Sequence, residues 1–146
     1  MNEEEKKLYI AQEHYEKGML NSDIADMIVS MGYKNEKITA DSSEPKSIKE
    51  LKRLGLQRIR GARKGKDSVL NGIQYLQQYK IEVAPHCRNT IAELENYTWC
   101  KDKDSGEYVN KPIDDFNHLM DALRYAVEDL TRGAKLKNLN KNSFGL

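Results

Sequence analysis

Cysteine is scarce in this sequence: Cys87 and Cys100 are the only two in 146 residues. Two thiols make no disulfide framework in a domain of this size. No stretch approaches the roughly 18 apolar residues of a membrane span. The opening MNEEEKK is acidic where a secretory signal carries an apolar core. The chain therefore reads as soluble and intracellular, with reduced thiols and no membrane partner. G-x-x-x-x-G-K-[ST] does not occur, which excludes a P-loop; RKGKDS at 63–68 is basic but lacks that spacing. Cys87, Cys100, His86 and His118 do not fall at zinc-ligand spacing. An excess of one charge is missing too. The formal net charge of +1 gives no global pull toward nucleic acid, and no internal repeat is present.

What is there is patterned. Charged residues make up 32% and hydrophobic ones 38%. That is polar for a globular domain, but apolar periodicity runs through most of the chain, which argues against disorder. The length suits one domain, over 1–132, with a flexible Asn- and Lys-rich tail over 133–146. Nine basic residues fall between Lys46 and Lys66 against one acid, Glu50. The run reads as a phosphate-facing edge or, equally, as a pair of solvated helix faces.

Strands are expected over 7–15, 37–40, 56–62 and 80–84, each rich in β-formers. Helices are expected between them. One is capped by Asn21 or Ser22, with Ile24, Met27, Ile28 and Met31 inward and Gly32 as its stop. A second begins at Pro45, turns Ile48, Leu51 and Leu54 inward and ends at Gly55. A third is capped by Asp67, and a fourth spans 87–99 with Ile91, Leu94 and Tyr97 on one side. The segment 100–110 suggests a hairpin or loop around Ser105 and Gly106. A last helix is expected over 115–130, capped by Asp114 or Asp115. Its apolar side is Leu119, Leu123, Ala126, Val127 and Leu130; its wet side is His118, Asp121 and Tyr125. Strands alternating with helices indicate an α/β layer with partly parallel strands.

In such a layer, sites lie beyond the carboxyl ends of the strands. Asp41 is the first polar residue after the strand KITA. It reads either as a turn aspartate in DSSEP or as a carboxylate aimed into a crevice. An aspartate there, opposite Asp121 and His118 on the last helix, would suit a hard cation. Mg²⁺ or Mn²⁺ takes few protein oxygens and completes its shell with water and phosphate. Two such ions can clamp the attacking and leaving oxygens of a phosphodiester. Trp99, Tyr97 and Tyr108 read as packing residues before base-stacking ones, and His14 and His86 as structural.

Four segments in order, ADSSEPKSIKELKRLG, KGKDSVLNGIQYL, NTIAELENYTW and NHLMDALRYA, resemble the C-terminal nuclease domain of phage terminase large subunits. The likeness covers roughly 7–130. It implies an RNase H/integrase-like mixed sheet flanked by helices, and metal-dependent endonuclease cutting of concatemeric viral DNA during packaging. By that likeness Asp41, Asp121 and His118 are the catalytic and Mg²⁺- or Mn²⁺-binding residues. The basic loop implies double-stranded DNA contacts through Arg63, Lys64 and Lys66. The family's first catalytic aspartate lies on a first strand with a glycine-containing motif. No aspartate precedes Asp23 here, and the sequence starts at what corresponds to the third strand. The expected fold is accordingly N-terminally incomplete: a split piece, a prophage remnant or a partial gene product. Implied partners are the portal protein, the small terminase subunit, or a chain supplying the ATPase half and first strands. The alternative reading is a catalytically incomplete module that binds DNA or a partner. The implied location is the cytoplasm of the bacterial host cell.

Overall fold

Short apolar runs give brief strands, some of them ended by Gly or Pro. The computed structural model describes residues 6–65 and 67–130. Among them, strands β1 (Lys7–Ile10), β2 (Ile38–Ala40), β3 (Ile59–Gly61), β4 (Lys80–Val83), β5 (Trp99–Lys101) and β6 (Tyr108–Pro112) are interleaved with helices. The helices are α1 (Asn21–Ser30), α2 (Pro45–Arg53), α3 (Ser68–Leu76), α4 (Arg88–Asn96) and α5 (His118–Ala126). β1 pairs with β4 and β2 with β3, both parallel, whereas β5 and β6 pair antiparallel. The α/β class and the mixed pairing agree with the sequence; the strands form three two-stranded ladders. The described residues gather in two compact units, 15–65 and 6–14 with 67–130. The expected tail over 133–146 lies outside the described residues. No described helix is long and apolar enough to cross a membrane.

In the unit 15–65, α1 is capped from within. The Asp23 carboxylate accepts the Leu20 N–H at 3.0 Å. Neither Asn21 nor Ser22, the two expected caps, takes that position, which falls to Leu20; Asn21 donates its side-chain amide to Glu50 at 3.1 Å. Pro45 opens α2 at its first turn, where a missing N–H costs nothing. Gly32 and Gly55 end the two helices with φ of +84° and +113°, a backbone only glycine adopts freely. Ala25, Leu51, Leu56 and Ile59 form the core, with Ile24, Ile28, Ile38, Ala40 and Ile48 packed on it. Each large member contributes about 1.5–3 kcal/mol by leaving water. Leu54, expected inward, is 42% exposed because it lies past the last helical turn. α2 crosses between β2 and β3, which align Ile38 with Ile59 and Ala40 with Gly61.

In the other unit, β1 ends at Ile10, well short of 15. Its partner β4 runs out at Val83, and Pro85 follows it. The chain then turns Glu13 onto α4, where its Oε1 accepts the N–H groups of Asn89 and Thr90 at 2.8 and 3.4 Å. Asp67 precedes α3 in the left-handed region, φ 62°, and makes no side-chain cap; its carbonyl takes the Asn71 N–H. α4 buries Thr90 and Glu93, while the expected Ile91, Leu94 and Tyr97 are half-buried. The expected hairpin forms as β5 and β6. Asp102 holds its turn by accepting the N–H groups of Asp104 and Ser105.

Candidate functional site

Asp41 follows the last residue of β2, at the strand's carboxyl end. Its Oδ1 accepts the Ser43 N–H at 2.9 Å and lies 2.9 Å from the Lys64 ammonium. The Ser43 N–H first, then Lys64, hold the Asp41 carboxyl below its ordinary range, so it is ionised at neutral pH. The turn reading of this residue therefore holds in the structure. Both side chains of the ion pair are about half exposed. The turn after β2 packs closely on Gly61 of β3. A Cβ on Gly61 would stand 3.0 Å from Ser42 Cβ and 3.3 Å from Ile48 Cδ1. Arg63 is exposed beside Lys64, and Lys66 lies outside the described residues.

The last helix starts later than expected and is held differently. Asp114 and Asp115 do not cap it: Asp114 accepts from the Asn117 amide and Asp115 from the Phe116 N–H. Glu93 does so instead, buried on α4. Both its oxygens accept the Leu119 N–H at 3.0 Å, and Oε1 also reaches the Met120 N–H at 3.5 Å. A carboxylate suits that helix start because unpaired N–H groups and the helix dipole both favour negative charge there. The inward line keeps Leu123 and Val127 of the expected one, with Leu119 half-buried, and adds Met120 and Arg124; Leu130 and Ala126 are exposed. His118, the first residue of α5, is exposed.

Asp121 is one turn after His118, with its Oδ1 2.8 Å from Arg124 Nη2. The Asp121 side chain is 36% exposed and that of Arg124 only 9%. Burial, then the Asp121 charge, push the Tyr97 hydroxyl above its ordinary range, with Arg124 acting the other way. Tyr97, Leu94, Leu123, Ile73, Leu76 and Arg124 line an apolar cleft of about 300 Å³. His14 and His86, expected as structural, are both exposed and belong to no core.

Asp41 and Lys64 are thus together in one unit, and His118 and Asp121 share a helix in the other. Among the described residues no three His, Cys, Asp or Glu side chains cluster as a metal cage. The donor chemistry nonetheless fits a hard divalent cation. Each carboxylate already holds a positive group at ion-pair distance. Mg²⁺ and Mn²⁺ bind through one or two carboxylates, with water and phosphate completing the shell. Sequence reasoning missed Arg124, Gly72 and Glu93. The available signals were the Asp121–Arg124 spacing of three on a helix, and a glycine in mid-helix.

The model of the terminase RNase H-like domain family matches residues 1–129. The chain is 41% identical over 113 residues to the terminase large subunit of Bacillus phage SPP1, covering 75% of this chain and 26% of that protein. It is 35% identical over 127 residues to the PBSX phage terminase large subunit of Bacillus subtilis strain 168, covering 86% and 29%. It thus spans between a quarter and a third of these curated relatives. The crystal structure of the large terminase nuclease domain of bacteriophage SPP1 with bound Mn is similar, with TM-score 0.80 and 35% identity. That match covers 88% of this chain and 73% of that one.

Proposed function

The chain belongs to the terminase RNase H-like domain family, and from that premise we propose that it cleaves phosphodiester bonds of double-stranded viral DNA during packaging. The observation that carries this reading is the ionised Asp41 at a strand end, paired at 2.9 Å with a lysine of a basic loop. The two charges suit that role: an anion can hold a metal cation, and a cation of the basic loop can meet the DNA backbone.

Asp41 and Asp121 are the cation-holding carboxylates. When bound, Mg²⁺ or Mn²⁺ supplies Lewis acidity at the phosphodiester and lowers the pKa of a ligated water. Bound Mn in the SPP1 nuclease domain supports that choice of metal. His118, exposed one turn before Asp121, hydrogen-bonds a phosphate oxygen or the attacking water. Arg63, Lys64 and Lys66 grip backbone phosphates and set the duplex in place without reading its sequence. The setting is the bacterial host cytoplasm. The portal protein, the small terminase subunit and the ATPase part of a large subunit are the partners that packaging brings to it.

Nicking of supercoiled plasmid with Mn²⁺ tests the reading. Asp41→Ala and Asp121→Ala should each lower the rate by roughly 10²-fold or more, as loss of a metal ligand does. Activity that survives both substitutions rejects the assignment. Salt-sensitive DNA binding by the wild type without any metal-dependent cutting would make the chain a binding module instead.

A further inference from the structure

We propose that Arg124 positions Asp121 for metal ligation, clamping one carboxylate oxygen and leaving the other for the cation, and that Gly72 on α3 provides the room for it. The inference rests on the reading of Asp121 as a metal ligand.

The Arg124 side chain is 9% exposed, and a guanidinium so enclosed needs a charged partner. Asp121 is that partner: Oδ1 takes Nη2 at 2.8 Å across three residues of α5. Asp121 Oδ2 has no hydrogen bond among the described residues. One oxygen is therefore held and the other is open, which is the geometry of a monodentate ligand. The Arg124 Nε is buried without a hydrogen-bond partner. Its guanidinium carbon lies 5.3 Å from the centre of the Tyr125 ring. The group is thus oriented by Asp121 and by packing, with one donor left unsatisfied.

Gly72 explains how an arginine fits there. A Cβ at position 72 would stand 3.0 Å from Arg124 Cδ and 3.3 Å from Cγ. A methyl at position 72 would press on the arginine stem, which must give by a few tenths of an ångström and so disturbs the seat of the guanidinium on Oδ1.

The pair differs in kind from Asp41 and Lys64. There a flexible, half-exposed ammonium can be displaced by an arriving cation. Arg124, with its side chain 9% exposed, is far less open to solvent than Lys64. Its charge opposes a divalent ion at Asp121, and its clamp favours one by removing the carboxylate's rotational freedom. Ligating carboxylates are commonly held in this way, and the two effects have opposite signs in a binding measurement.

Mn²⁺ binding to the full chain, read from loss of the free-ion paramagnetic resonance signal, separates them. Arg124→Gln and Gly72→Ala should weaken binding by roughly 10–100-fold, the usual effect of losing a ligand's supporting partner. Arg124→Lys, which keeps the charge and loses the fork, should fall between. In plasmid nicking the same variants should raise the Mn²⁺ concentration for half-maximal rate and change the rate at saturating Mn²⁺ far less. Alanine favours a helix more than glycine does, so Gly72→Ala tests metal binding without weakening α3; thermal unfolding of the metal-free variants checks the fold. Unchanged or tighter Mn²⁺ binding in Arg124→Gln and Gly72→Ala, with binding lost in Asp121→Ala, overturns the positioning role alone. A wild type that binds no Mn²⁺, or an Asp121→Ala that binds it normally, overturns the ligand reading and the positioning role with it.

Discussion

A buried carboxylate is tolerable only where donors meet it, and Glu93 meets the first free N–H groups of α5. Its removal leaves the Leu119 and Met120 donors enclosed and unpaired. Glu93→Ala should therefore cost about 2–3 kcal/mol of stability, read from the urea midpoint at unchanged m-value. Glu93→Gln keeps an acceptor without the charge and should cost less. Residues of this kind are hard to read in a sequence. Glu93 and Arg124 are polar at helical spacing, and helical spacing assigns polar groups to solvent. Only the partner found 26 residues away, or one turn away, makes them interior. Asp41 was legible for the opposite reason. A strand of buried type ending in an acid exposes that acid by itself, and Lys64 follows in the loop after the next strand.

Element starts and stops were legible wherever backbone chemistry alone decides them. Pro45 opens α2, Gly32 and Gly55 end α1 and α2, and the Ser-Gly turn closes the hairpin. Lengths and faces were less so. β1 stops at Ile10 because its partner strand ends, which its own residues do not announce. The face of α5 is turned toward Met120 and Arg124 because α3 offers Gly72 as a slot and α4 offers Glu93 as an anchor. The β2–β3 ladder has a similar dependence on a missing side chain. Gly61→Ala brings a methyl against Ser42 and Ile48, and overpacking of that degree costs about 1–2 kcal/mol. Guanidinium unfolding should show that loss. Plasmid nicking should fall with it, because the displaced Ser42 adjoins Asp41.

For the whole chain, charge is balanced in total and uneven in place. The net +1 hides nine basic residues over 46–66 against a single acid. DNA affinity should then depend on a few local contacts. Replacing Arg63 and Lys64 with alanine should reduce the slope of log Kobs against log salt by about 1–2, at any duplex sequence. Fluorescence anisotropy across a salt series measures this; an unchanged slope would mean the phosphates are held elsewhere. Family membership was legible because four segments recur in order along most of the chain, and the family model matches residues 1–129.

Cys87 gives this protein a built-in gauge of its own opening. It is fully buried at the start of α4, and burial together with the Glu13 charge pushes its thiol above the ordinary range. Cys100 on β5 is partly accessible in the same unit. Iodoacetamide should therefore label Cys100 promptly, and Cys87 only when α4 comes away from its surroundings. Peptide mass spectrometry resolves the two. Their rate ratio in native buffer, set against near-equal rates in denaturant, reads out how often the seat of Glu93, and with it the anchor of α5, is lost. Equal labelling in native buffer would contradict the burial of Cys87.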